Sequence, residues 1–247
     1  MSSDSYSGRA RAAFRRGETA AVARMSRDEV ARARAAGDAP AEVEALYMLS
    51  RLAVRADDLT EADRLASEAL AVAIRAGQRH LEERPRHVLA AVARMSGDLA
   101  RARELYLDSI ALNVALAQPK TVNSEYHNLG FTELRLGNIE RAREIFAGVR
   151  EGVFAEGYDD FVPYALVASA VMAAVDGDWS RAARLLGVAD KAFRALGQVP
   201  DPDDAAELRW ARELTTSMIG QDAFDEQYGR GGALNPRTTL ATDASSR

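Results

Sequence analysis

The sequence predicts an all-α protein: a right-handed α-solenoid of about five antiparallel helix pairs, closed by C-terminal capping helices. Three observations carry this. RMSGDLARARELY (94 to 106), RLGNIERAREIF (135 to 146) and VDGDWSRAARLL (175 to 186) are one unit written three times, and internal repetition at a fixed period is the signature of a stacked array. The turn residue falls at Gly97, Gly137 and Gly177, a spacing of 40 twice over, and the same beat run backwards meets Asp57 and Gly17. The side chains after each turn recur at helical spacing, with a small residue followed four positions later by a large one.

The first unit, RRGETAAVARM, turns at Gly17 and is worn, with Glu18, Thr19, Val22 and Ser26 in the repeat's marked places. Terminal repeats are often atypical because only one side is covered. The second turns at Asp57 and continues DLTEADRLA. Asp58 is placed to accept hydrogen bonds from the free N–H groups of the next helix, and Glu61 stands three residues on, as a capping box requires. In the third, fourth and fifth units the cap is Asp98, Asn138 and Asp178, and a large apolar residue follows (Leu99, Ile139, Trp179), as Leu59 does in the second. The small position is Ala62, Ala102, Ala142 and Ala182, and the large one is Ala66, Tyr106, Phe146 and Leu186. In the preceding helices Leu49, Leu89 and Leu129 lie eight residues before their turns. Each is followed by a small residue (Ser50, Ala90, Gly130), which lets the second helix of the pair approach closely.

The order Leu129-Gly130, Gly137-Asn138, Ala142 and Phe146 resembles the tetratricopeptide repeat (TPR), and residues 5 to 197 share the likeness. The usual TPR period is 34 residues, so each unit here is six longer, which fits lengthening of both helices. A HEAT-type array has a similar period, but the small-then-large pattern of the second helix favours TPR. Beyond residue 197 come a loop, VPDPDD, a polar helix, and IGQDAFDEQYGRGGAL (219 to 234). With GDWSRAARLLGVADKAFRALG (177 to 197) these resemble the C-terminal end of actinobacterial LuxR-type ATP-binding activators. Ala223, Phe224, Ala233 and Leu234 match that family's closing segment. Tyr228 replaces its tryptophan, and Arg230-Gly231-Gly232 departs from its Glu-Gly-Arg. Residues 198 to 234 are therefore expected as capping helices, and NPRTTLATDASSR (235 to 247) as a disordered tail.

Composition restricts the chemistry. With no cysteine among the 247 residues, thiol nucleophiles, thiolate metal sites and disulfides are out of reach. A formal charge of -5 and a pI near 5.4 argue against general affinity for nucleic acid. The cations are almost all arginine, since Lys120 and Lys191 are the lysines among 32 basic residues. No apolar run approaches the ~20 residues of a membrane span, and the N-terminus has no apolar h-region, so a cytoplasmic location is expected. There is no GxxxxGK[ST] motif, no Gly-x-Ser-x-Gly elbow and no paired histidine metal motif. The acid pairs Asp57-Asp58, Asp159-Asp160 and Asp203-Asp204 sit at turns or helix starts and read as capping. His87 and His127 hold equal places in consecutive units, ~10 Å apart as neighbouring helices are, but nothing supplies a nucleophile or orienting acid for them. No enzyme activity, cofactor or metal is expected.

Binding is left. In a TPR array the first helices of successive units line the concave surface. Counting back from each turn puts Tyr47, His87, His127 and Val167 ten residues before it, Arg51, Ala91, Phe131 and Val171 six before it, and Arg55, Met95, Arg135 and Val175 two before it. Arg84 and Arg94 lie nearby, Asn128 flanks the same surface, and Tyr164 heads an apolar fifth unit. The expected site is thus Tyr47, Arg51, Arg55, Arg84, His87, Arg94, His127, Asn128, Phe131, Arg135 and Tyr164, pointing inward and accessible to solvent. Guanidiniums at one end and valines at the other suit a peptide or protein segment with acidic and apolar parts. In peptide-binding TPR proteins an asparagine in the place of Asn128 contacts the ligand backbone, and the resemblance implies the same here. The expected role is a non-enzymatic scaffold in bacterial regulation. The alternative, implied by the activator likeness, is a sensor arm for a small-molecule effector. Neither membrane nor direct nucleic acid binding is expected.

Overall fold

The structure is a computed structural model, described here for residues 5–243. Among these residues there are thirteen α-helices. They are α1 (Tyr6–Arg15), α2 (Thr19–Ala36), α3 (Ala39–Arg55), α4 (Leu59–Arg75), α5 (Glu83–Met95), α6 (Leu99–Ala115), α7 (Pro119–Arg135), α8 (Ile139–Ala155), α9 (Val162–Val175), α10 (Trp179–Ala195), α11 (Pro202–Ile219), α12 (Gln221–Ala233) and α13 (Pro236–Asp243). Short 3-10 turns at Arg79–Leu81 and Asp159–Phe161 precede α5 and α9. No described helix is long and apolar enough to cross a membrane. The all-α class and the consecutive pairing of an α-solenoid are as the repeat predicts.

Every expected turn has a left-handed backbone: φ is 78° at Gly17, 61° at Asp57, 84° at Gly97 and Gly137, and 76° at Gly177. A second series, not anticipated, lies midway at Gly37, Gly77, Ala117, Gly157 and Gly197, also at positive φ. From residue 17 to residue 197 the chain therefore reverses every 20 residues, once after each of α1 to α10. Apart from the one at Gly77, these turns close by the same device, a hydrogen bond from the residue after the turn to the carbonyl five residues back, as in Asp98 N to Ala93 O at 2.9 Å and Gln118 N to Asn113 O at 3.0 Å. This is the Schellman closure, which satisfies carbonyls left open at a helix end.

Three of the four expected caps form as read. Asp58, Asp98 and Asp178 accept from the backbone N–H three residues on, at 3.0, 3.2 and 3.1 Å. Asn138 makes no cap; its amide donates to Glu133 at 2.7 Å instead. Glu61 does not complete a capping box, because both its oxygens are taken by Arg64.

The chain divides into two compact units, residues 1–128 and 129–247, with the boundary inside α7. In the first, α1 packs on α2, α3 on α4 and α5 on α6, while the first helices α1, α3 and α5 also touch in succession. Its core runs from Ala10, Phe14 and Val22 through Met48, Val54 and Ala66 to Val88, Leu89 and Val92. A second cluster, around Leu46, Leu65 and Val72, fills α3 against α4.

In the second unit α9 is buried almost throughout, between α10, α11, α8 and α13. α12 packs on α10 through two glycines: a Cβ on Gly187 would lie 2.1 Å from the Tyr228 carbonyl, and one on Gly231 would lie 2.0 Å from that of Arg184. Gly130 has the expected purpose, since a Cβ there would meet the Phe146 ring at 2.5 Å. The segment expected as a disordered tail is in part α13. Asn235 caps it through a bond from Thr238 N at 3.0 Å, Leu240 is fully buried, and Arg181 holds Asp243 at 2.6 Å. Residues 244–247 of that tail lie outside the described residues.

Candidate functional site

In the first unit, α1, α3 and α5 present a continuous stripe of polar and aromatic side chains. Glu44, on α3, is nearly buried and is held from both sides, by Arg11 of α1 at 2.8 Å and by Arg84 of α5. Ser7 donates to the same carboxylate at 3.0 Å. Burial alone would raise the Glu44 pKa, but the Arg11 hydrogen bond, the charges of Arg84 and Arg11 and the Ser7 hydroxyl outweigh it and hold the carboxyl below its usual range.

One turn along α3, Tyr47 lies between two guanidiniums, with Arg84 5.5 Å and Arg51 5.8 Å from its ring centre. Arg51 also donates to the Tyr47 hydroxyl at 3.0 Å. Arg51 and Arg55 both stack on Phe14 of α1, at 4.5 and 3.9 Å, and Arg55 donates to the Phe14 carbonyl at 3.1 Å. These are cation–π contacts at a partly exposed surface, each contributing about 0.5–1 kcal/mol.

Towards α7 the stripe continues as an acid–imidazole group. His87 Nδ1 is 3.0 Å from Oε1 of Glu125, a carboxylate that is 1% exposed. Glu83 lies between them and Arg84, 3.7 Å from Arg84 Nε. Burial raises the Glu83 pKa and the neighbouring Glu125 adds to this, against the opposing pull of Arg84, His87 and Arg11.

Five of the expected residues, Tyr47, Arg51, Arg55, Arg84 and His87, are thus brought together. The expectation that all eleven would be solvent accessible does not hold. Tyr47 is buried at the bottom of its stack, and Arg94, His127, Asn128 and Phe131 are buried, His127 at 1% exposure. Phe131 meets Phe146 of the paired helix edge to face at 4.9 Å. Six residues before the turn is therefore a core position in that pair. His127 does not share a solvent-facing site with His87.

In the second unit Arg135 binds Glu207 of α11 at 2.8 Å and lies 5.2 Å from the Trp210 ring centre. Tyr164 stacks on Phe161 and abuts Phe193. The valines expected as the apolar end of the wall, Val167 and Val171, are fully buried on the helix that α11 packs against, so they present nothing to a ligand.

The residues that sequence reasoning missed are Phe14, Glu44, Glu83 and Glu207, which meet arginines, Glu125, which meets His87, and Arg11, which meets Glu44. Among the described residues no three His, Asp or Glu side chains gather as a metal-binding group.

No protein-family model and no curated protein matches the chain. Among solved structures it is similar to a Rap protein crystallised in complex with Competence and Sporulation Factor, with TM-score 0.70 and 12% identity over 96% of this chain and 75% of that one. It is also similar to BtubC (BKLC) from P. vanneervenii, with TM-score 0.55 and 16% identity over 95% of this chain and 92% of that one. At such identities the likeness is one of fold: the chain has a TPR-like helical-repeat fold.

Proposed function

We propose that this protein is a non-enzymatic TPR-like scaffold that takes a peptide or protein segment on the face formed by α1, α3 and α5 of its first unit. The observation that carries the reading is the stack of Arg51, Tyr47 and Arg84, continued by Arg55 on Phe14. Arginine and tyrosine are the residue types enriched where binding energy concentrates, because they offer large rigid area with hydrogen-bonding ends. The stripe gathers four guanidiniums, Arg11, Arg51, Arg55 and Arg84, among the acids Glu44, Glu83 and Glu125, and the guanidinium fork matches a carboxylate, so the favoured segment carries one. The Rap protein, solved with Competence and Sporulation Factor, supports reading a chain of this fold as a binding scaffold. The resemblance of residues 177 to 234 to LuxR-type activators supports a setting in bacterial regulation.

The test is to pan a displayed random-peptide library against the full chain and measure the enriched peptides by fluorescence anisotropy. Carboxylate-bearing sequences should emerge. An Arg51→Gln, Arg55→Gln variant should bind them at least about tenfold more weakly, a loss of ~1.4 kcal/mol, while still unfolding cooperatively, at a midpoint a few degrees lower because its contacts with Phe14 are gone. Equal affinity in the folded variant refutes the assignment.

A further inference from the structure

The second unit contains a cleft that the binding face does not use. It lies between α8 and α9, with Asp243 of α13 at its edge, and has a volume of about 270 Å3. That is just below the ~300–1,000 Å3 of clefts that hold drug-sized ligands, so its occupant is small. The floor is apolar, made by Phe146, Ala165 and Met172 among others.

The charges around it are mostly spent. Arg143 grips Asp176 with two nitrogens, at 2.8 and 3.2 Å, and Asp243 is held by Arg181 at 2.6 Å. Glu140 and Glu144 stand on the rim with side chains 84% and 68% exposed, hydrated at little cost. Arg150 differs: it lines the cleft, is half-buried, and makes no ion pair with any described residue. A guanidinium kept partly out of water beside an apolar floor, with no carboxylate to meet it, is a site waiting for an anion that carries its own apolar body.

We propose that this cleft binds a small amphipathic carboxylate, its charged group on the Arg150 guanidinium and its short aliphatic body over Phe146, Ala165 and Met172. The site lies wholly within the second unit and does not depend on the face proposed above, so either can fail alone.

Octanoate is a suitable probe, and methyl-13C-methionine NMR of the full chain a suitable readout, because among the described methionines Met172 alone lines the cleft. The Met172 signal, assigned with Met172→Leu, should move saturably with octanoate while the other methionines stay in place. Arg150→Gln should weaken binding about tenfold or more, as loss of a charge-assisted bond does, and Arg150→Lys should weaken it less. The unchanged methionine spectrum of each variant reports that the fold is intact. Octan-1-ol, which lacks the charge, should bind more weakly than octanoate. The proposal is overturned if Met172 does not respond, if all methionines shift alike, if Arg150→Gln binds as wild type does, if the Lys and Gln variants lose equally, or if octan-1-ol matches octanoate.

Discussion

Ala117 and Gly97 occupy equivalent kinds of turn with different residues, and exchanging their chemistry should move stability in opposite directions. Ala117 has φ 53°, a conformation in which a Cβ crowds the following carbonyl at a cost of roughly 1–2 kcal/mol. Its turn is otherwise well made, with the Schellman bond from Gln118 to Asn113 at 3.0 Å. Ala117→Gly removes that strain but also loosens the unfolded chain, which takes back about 0.4–1 kcal/mol. The expected net gain is therefore about 0.5–1 kcal/mol. At Gly97, φ is 84° and a Cβ would meet nothing within 4 Å, so Gly97→Ala changes backbone strain and leaves packing untouched. Set against the roughly 0.4–1 kcal/mol that a stiffer unfolded chain returns, the net cost should be about 0.5–1 kcal/mol. For a chain of this size 1 kcal/mol corresponds to roughly 2–4 °C in midpoint, and urea titration should show the midpoint moving with the slope unchanged. A stabilising Gly97→Ala, or a destabilising Ala117→Gly, would refute the claim that these turns are governed by the left-handed backbone.

Two further outcomes follow from particular atoms. Gly187→Ala places a methyl 2.1 Å from a backbone carbonyl of α12, which cannot rotate away as a side chain would; overpacking of this kind costs about 1–3 kcal/mol or more. Hydrogen exchange should quicken in Gln221–Ala233 while α3 to α5 stay as protected as in wild type. Glu83→Gln should stabilise the protein at pH 8, because a folded-state pKa raised by burial penalises the fold once the group is ionised. The penalty fades as pH falls through the raised folded value towards the unfolded one, so the gain should shrink to nothing near pH 4, measured by urea midpoints at both pH values; an equal gain at both would show that charge is not its source.

Much of the fold was legible because each turn writes itself in glycine or a capping acid, and those residues keep strict register. The intermediate series at 37, 77, 157 and 197 is written in the same glycines, but Ala117 interrupts it and the residues that follow these turns do not repeat as those after the first series do. α13 was also signalled, by Asn235 followed by Pro236, a cap and a first-turn proline, yet the polar composition after it read as a tail. Depth was harder to see. Counting from the turn finds the side of a helix that faces inward, but whether a side chain there reaches water depends on what the neighbouring element brings. Phe131 is buried because Gly130 lets Phe146 in beside it, and Val167 lies on a helix that α11, outside the repeat, packs against. The acids Glu44, Glu125 and Glu207 are not legible in one helix's pattern because each is buried by a cation or imidazole that another helix brings.

Those acids alter the chemistry of the site more than the arginines define it. A carboxylate arriving at Arg84 must compete with Glu44, and one arriving at Arg135 must compete with Glu207. Both acids are buried, and parting a buried carboxylate from its cation costs several kcal/mol, more than a partly exposed new pair returns. Arg51 and Arg55 meet Phe14 by the face of the guanidinium, and Arg51 also donates to the Tyr47 hydroxyl and Arg55 to the Phe14 carbonyl. Stacking of this kind fixes the plane of a guanidinium, which suits it to a planar acceptor. On the proposed reading the Arg84–Glu44 pair is a fixed wall within the first unit, and Arg51 and Arg55, supported by Phe14, are the arginines whose replacement tests it.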